Sequence, residues 1–273
     1  MDLNTVTAIL HPRERAELPP AREGDAVLGG GSWLFSEPQP DIRRLVDLAG
    51  LGWEPLRVDA EGLSIAATCT IAELNGFEPP AGWPAAPLIR ACCSAFLASF
   101  KIWNMATVGG NICLGLPAGP MISLAVALDG EGVLWAPEGG ERRVTILDFV
   151  RGPREVALAP GEVLRAIYLP AAALRRRAAF RRASLTALGR SGALLVGTRG
   201  DKGFHLTVTA ATRRPVQLAF PAVPTPDELA AELAAAIPDA LYYDDMHGRP
   251  DWRRHMTALL AEEIRVELEG ERA

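Results

Sequence analysis

Short apolar runs cut by glycine- and proline-rich breaks alternate along this chain with stretches of helical periodicity. Asp25-Ala26-Val27-Leu28 reads as a short strand, and Gly29-Gly30-Gly31-Ser32 follows it at once. Trp33-Leu34-Phe35 then predicts a short helix and Ile42 to Leu48 a second strand, which makes residues 1–52 a small α/β unit. Leu56 to Val58 and Leu63 to Ala67 flank Asp59-Ala60-Glu61-Gly62 in the manner of a hairpin. Thr70 followed three places later by Glu73 is a capping-box helix start, because each side chain can satisfy the other's backbone N–H. Leu88, Ile89, Cys92 and Phe96 share one helical face within residues 85–100. Gly132 to Trp135 and Val163 to Leu169 read as strands, the second ended by Pro170, and close a middle unit of residues 53–170.

Residues 171–273 form a third unit. Ala178 to Arg182 and His205 to Thr209 read as strands. A helix over 226–236 is signalled by Thr225 as cap, Pro226 at the first position and Glu228 three residues beyond the cap. A second helix over 251–268 puts Trp252, Met256, Leu259, Leu260 and Ile264 on its apolar side. The expected fold class is α+β, a mixed α/β architecture in three units.

Composition narrows the function. The chain has 273 residues, 49 % hydrophobic and 22 % charged, with a net charge of −5, which fits an ordinary globular protein and excludes a strongly basic nucleic-acid binder. One basic cluster, Arg175-Arg176-Arg177 with Arg181-Arg182, is either a solvated face or an attractor for a phosphate or an acidic partner. No apolar stretch is long enough for a membrane span, and the start has no basic region leading into an apolar run, so a cytoplasmic location is expected. Cys69, Cys92, Cys93 and Cys113 lack metal-site spacing and sit among apolar neighbours, as core thiols do; the four histidines form no metal motif.

Two glycine segments carry the chemistry. Gly29, Gly30, Gly31 and Ser32 follow a strand, where glycines let the backbone turn tightly and let its N–H groups approach a pyrophosphate. Taken alone, the same residues also suit a plain tight turn. The second segment runs from Asn104 to Ile112, with Thr107 and Asn111 bracketing Gly109 and Gly110; it reads as a donor-rich loop for a diphosphate, or as a structural turn. Pro117-Ala118-Gly119-Pro120 then reads as a rigid second loop. Neither segment matches GxGxxG or the GxxxxGK[ST] loop, and no nucleophile–base–orienter set stands out, so no catalytic residue and no metal ligand is assigned. The chain looks equipped to hold a cofactor.

These residues resemble the FAD-binding, or medium, subunit of the molybdenum hydroxylases of the xanthine dehydrogenase, aerobic carbon monoxide dehydrogenase and aldehyde oxidoreductase types. Ala106 to Ile112 is similar to that family's second flavin loop, and Leu28 to Ser32 stands in place of its first. Thr68 to Leu74, Arg181 to Ser184, and Asp245 to Arg249 with Trp252-Arg253 resemble three further stretches in the same order. The resemblance implies a PCMH-type FAD-binding fold, with Gly29, Gly30, Gly31 and Ser32 wrapping the FAD diphosphate from one side and Thr107, Gly109, Gly110 and Asn111 from the other. It also implies partners: a large subunit with the molybdenum cofactor and a small subunit with [2Fe–2S] clusters, as a dimer of heterotrimers in which electrons reach FAD and leave to an external acceptor. The basic group from Arg175 to Arg182 is then a candidate dock for an acidic iron–sulfur partner.

Three positions depart from the family pattern: Trp103 for a common arginine, Leu116 for a common serine and Pro120 for a usual aspartate. The last two remove polar groups expected near the flavin. They leave open a cofactor-free structural subunit. A standalone flavin oxidoreductase of the vanillyl-alcohol oxidase type is the other alternative, and it would need a substrate domain.

Overall fold

The computed structural model describes residues 3–270. The chain begins with a small parallel sheet of β1 (Ala8–Leu10), β2 (Asp25–Leu28) and β3 (Arg44–Asp47), with β3 in the middle. Arg44 pairs with Asp25 across adjacent strands (2.5 Å). The expected helix at Trp33-Leu34-Phe35 is a turn instead: the Phe35 N–H closes on the Gly31 carbonyl (2.8 Å), and Pro38 and Pro40 prevent a helix from continuing. The guanidinium of Arg15 lies 4.7 Å from the centre of the Trp135 ring and ties this segment to the middle of the chain.

The middle stretch opens with the expected hairpin, β4 (Leu56–Val58) and β5 (Gly62–Ala66). Both halves of the Thr70–Glu73 capping box start α1 (Ile71–Asn75). The next helical pattern resolves into α2 (Pro87–Ala95) and the short α3 (Phe100–Trp103). Then come α4 (Val108–Leu114) and α5 (Pro120–Ala127). The rest comprises β6 (Glu131–Trp135), β7 (Glu141–Thr145), α6 (Ile146–Phe149), the small hairpin β8 (Val150–Gly152) and β9 (Glu155–Val156), and β10 (Val163–Pro170). The five-stranded sheet has the order β4-β5-β10-β6-β7, with β10 antiparallel to both neighbours.

After α7 (Ala171–Leu174), an antiparallel meander follows: β11 (Arg177–Ala183), β12 (Ala193–Gly200), β13 (Gly203–Thr209) and β14 (Val216–Phe220). Its outer face is covered by α8 (Pro226–Ala236) and the long α9 (Pro250–Gly270), with Leu229, Leu233, Leu260, Ile264 and Leu268 packed on Leu195, Leu206 and Val208. Its other face joins the middle core: Leu194 and Val196 belong to the same buried cluster as the α2 and α5 residues, and α5 packs on β12. A buried hydroxyl pair, Ser123 and Thr209 at 2.6 Å, bonds across that seam.

The basic cluster is not a free patch. Arg176 pairs with Asp129, Arg181 bonds Glu263 (2.9 Å) and Glu267 (2.6 Å) on α9, and Arg182 donates to the Gly189 carbonyl (2.8 Å). These arginines bind their own fold: Arg181 lies beneath the acidic side of α9, while Arg176 and Arg182 find partners at Asp129 and in the β11–β12 turn.

Candidate functional site

The two glycine segments meet. A cleft of about 610 Å³ is lined by Gly29, Gly30, Gly31 and Ser32 on one side and by Thr107, Gly110 and Asn111 on another. That volume falls within the ordinary range for small-molecule and cofactor sites. At Gly30 the junction is made backbone to backbone, where an added Cβ would fall 1.5 Å from the Met105 carbonyl oxygen; at Gly29 the backbone meets a side chain, and an added Cβ would fall 2.8 Å from Thr107 Oγ1. Only a residue without a side chain lets the first segment seat here.

The two segments differ in what they present. Gly31 adopts φ +69°, and among the described residues the amides of Gly30, Gly31 and Ser32 have no acceptor within the chain. They form a set of unengaged N–H donors beside the Ser32 hydroxyl. The second segment is a helix start rather than an open loop. Thr107 is the N-cap of α4, and its Oγ1 accepts from the Gly110 N–H (3.0 Å). The amides of Val108, Gly109 and Asn111 donate to Cys69 O (2.8 Å), Ala67 O (2.9 Å) and Thr107 O (3.0 Å). The amides of Val108, Gly109, Gly110 and Asn111 are therefore already engaged, so the segment offers fewer open donors than the donor-rich loop expected from the sequence. The Thr107 hydroxyl proton and the Asn111 amide nitrogen remain for a ligand.

Gly109 has a different place from the other candidates. It is buried away from the cleft lining, and a Cβ there would fall 2.5 Å from Ala67 Cβ, so its small size seats α4 against the strand end at Ala67. Asn111 also serves the fold, because its Oδ1 accepts from the Met121 N–H (3.1 Å) and so satisfies the first turn of α5. The expected rigid loop at Pro117 to Pro120 ends as that helix, with Pro120 at its first position.

The remaining wall is largely apolar. Leu116 and Pro120 line it, so the polar groups that the resemblance led one to expect there are replaced by hydrocarbon. Trp103 is off the cleft, donating from Nε1 to the Phe96 carbonyl (3.0 Å). Arg190 and Ser191, at the end of the β11–β12 turn, also line the cleft and had no sequence signal. They are held from behind. Arg253, 1 % exposed on α9, donates to the carbonyls of Gly192 (3.0 Å), Gly248 (2.8 Å) and Ala210 and pairs with Asp245. The stretch from Asp245 to Arg253 singled out in the sequence thus positions a wall of the cleft without lining it.

Among the described residues no cluster of His, Cys, Asp or Glu is arranged to hold a metal ion, and no helix is long and apolar enough to cross a membrane. Burial pushes the thiols of Cys69 and Cys93 up to about 12 and raises Cys92 as well, so these are neutral core groups.

The chain is similar to several known proteins. Residues 13–172 match the family described as the FAD binding domain in molybdopterin dehydrogenase. The carbon monoxide dehydrogenase medium chain of Afipia carboxidovorans is 34 % identical over 130 residues, 48 % of this chain and 42 % of that one. The putative xanthine dehydrogenase FAD-binding subunit XdhB of Escherichia coli is 32 % identical over 130 residues, with the same coverage of 48 % and 42 %. The matched segments thus span less than half of either relative. In fold, the chain superposes on a chain of carbon monoxide dehydrogenase from Hydrogenophaga pseudoflava with a TM-score of 0.78 at 20 % identity, covering 95 % of this chain and 96 % of that one. A chain of quinoline 2-oxidoreductase from Pseudomonas putida 86 gives 0.78 at 19 % identity, covering 98 % of both. The chain belongs to the family of FAD-binding domains of molybdopterin dehydrogenases and has its PCMH-type fold.

Proposed function

We propose that this chain is the FAD-holding electron-transfer subunit of a molybdenum-containing hydroxylase or dehydrogenase. The observation that carries the reading is the convergence of the two glycine segments on one cleft, with the amides of Gly30, Gly31 and Ser32 unengaged beside it. The donor set fits the group: backbone amides and neutral hydroxyl and amide side chains are what a diphosphate needs for recognition in a partly desolvated seat. Gly29, Gly30, Gly31 and Ser32 would hold the diphosphate on one side, and Thr107, Gly110 and Asn111 would contact it from the other. Gly109 serves by fixing the start of α4. Leu116 and Pro120 exclude water from their part of the wall and orient the group by shape. Bound FAD supplies one- and two-electron transfer chemistry, and the protein's share is to place and tune it.

In this reading the chain divides near residues 52 and 170 into three units. It works in the cytoplasm between a large molybdenum-cofactor subunit and a small subunit with [2Fe–2S] clusters, in a dimer of heterotrimers. The test is the absorption spectrum of the protein purified from its native host, with flavin quantified after denaturation. About one FAD per chain and co-purifying partner chains support the reading. A folded protein that carries no flavin and takes up none on reconstitution points to the second reading, a cofactor-free structural subunit, which the apolar wall at Leu116 and Pro120 favours.

A further inference from the structure

We propose that Arg190 and Ser191 form a third, cationic wall of the cleft that contacts anionic oxygens of the cofactor; this rests on the FAD reading above. Every other residue lining the cleft is neutral, so among the described residues Arg190 is the one charged side chain on it. A diphosphate brings two negative charges into that space, and the glycine segments answer them with dipoles alone. Arg190 is exposed and takes part in no hydrogen bond or ion pair among the described residues, unlike Arg176, Arg181 and Arg182 nearby in sequence. Its guanidinium is therefore available, and no internal partner must be given up for a ligand.

Ser191 adds an independent observation. It is 2 % exposed, and its Oγ has no hydrogen-bond partner. Buried hydroxyls are nearly always paired, so an unpaired one on a ligand cleft calls for an explanation. A rotation about χ1 breaks no bond it now makes and turns the hydroxyl toward a bound group. The backbone next to them is fixed at Gly192: Arg253 grips Gly192 O, and the Gly192 N–H donates to Ala183 O (2.8 Å). Anchoring at Gly192 preorganises the backbone end of the wall, which lowers the ordering cost of binding.

The anionic oxygens belong either to the diphosphate or to the carbonyl edge of the flavin ring, which gains negative charge on reduction. The full chain is stripped of flavin, and FAD and ADP affinities are measured by titration for wild type, Arg190→Gln and Ser191→Ala, together with the flavin midpoint potential. We expect Arg190→Gln to weaken FAD binding about 10- to 100-fold and to flatten its salt dependence. Ser191→Ala should weaken FAD about 3- to 10-fold while the flavin-free melting temperature stays level or rises, since only an unsatisfied hydroxyl is removed. A parallel loss for ADP assigns the contact to the diphosphate. Unchanged ADP affinity with a lowered potential assigns it to the ring. If wild type binds FAD tightly and both variants match it in affinity and potential, the third wall is refuted and the FAD reading stands. If wild type binds no FAD, both fall.

Discussion

The Arg253 guanidinium donates to the Gly192 carbonyl at 3.0 Å, linking the last helix to the residue next to the cleft wall, 61 positions earlier in the chain. The same side chain reaches Gly248 O, Ala210 O and Asp245, so four acceptors depend on one buried cation. Replacing Arg253 with Met leaves those carbonyls unsatisfied and Asp245 without its partner. We expect a loss of about 3–5 kcal/mol in stability, read from urea denaturation. Lysine should rescue little of it, because a single ammonium cannot reproduce the fork. A denaturation midpoint equal to that of wild type would show that the hub is dispensable.

Gly30→Ala separates seating from mere turning. Its Cβ must displace the Met105 carbonyl, and backbone on both sides has to give. The expected outcome is a stability loss of about 1–3 kcal/mol together with at least a tenfold loss of FAD affinity by fluorescence titration. Gly109→Ala, which presses on Ala67 outside the cleft lining, should cost similar stability with a smaller effect on affinity. Equal effects on affinity would mean that the two glycines share one role.

Asn111 should split along its two atoms. Its Oδ1 satisfies the Met121 amide, an acceptor role that aspartate retains. Asn111→Asp is therefore expected to keep the melting temperature near wild type while weakening FAD binding tenfold or more, since it puts a carboxylate beside a diphosphate. Asn111→Ala should lower stability by about 0.5–1.5 kcal/mol. Retained FAD affinity in the aspartate variant would remove Asn111 from the binding set.

Acid sensitivity follows from Glu162. Arg142 (2.7 and 2.6 Å) and, after burial is offset, the Ala159 N–H (2.8 Å) hold its carboxyl below the usual carboxylate range. Its stabilising contribution is then complete above the unfolded glutamate value of about 4.3 and declines as pH falls through the lower folded value. Asp25, held down mainly by Arg44, acts in the same sense in the first sheet. Urea midpoints measured from about pH 7 down to about pH 3, a range that brackets the unfolded value, should fall on the acid side, and Glu162→Gln should flatten that slope. An unchanged slope in the variant would assign acid sensitivity to other carboxylates.

Much of the fold was legible because local signals and tertiary needs agree. The Thr70–Glu73 and Thr225–Glu228 capping boxes both form, and the helix Pro226–Ala236 has the bounds its cap and proline predict. Where the signals failed, burial erased them. All eight residues of α5 are buried, so it has no polar face to give a period, and its first turn reads as a proline loop. β12 is buried on both faces from Ala193 to Thr198 and reads as featureless apolar sequence. In the site, Gly29 to Ser32 could be read because glycine declares a backbone requirement. The engaged amides of the second segment could not, because their acceptors at Ala67 and Cys69 come from another part of the chain. Arg190 and Ser191 are single residues whose relevance arises from where Arg253 holds the neighbouring backbone.

The small first sheet is poorly filled. Of its strand residues only Leu45 and Val46 are buried, and Val27, on the cleft wall, is 48 % exposed. Parallel sheets are ordinarily covered on both faces, so this one lacks an interior of its own. A guest lodged against Val27 would become part of that interior, and the sheet and its guest would then order as one cooperative unit. In amide hydrogen exchange, β1–β3 should exchange well ahead of β12 and β13 in the flavin-free protein and slow selectively once FAD is added. Cofactor loading and completion of the amino-terminal fold would then be a single event.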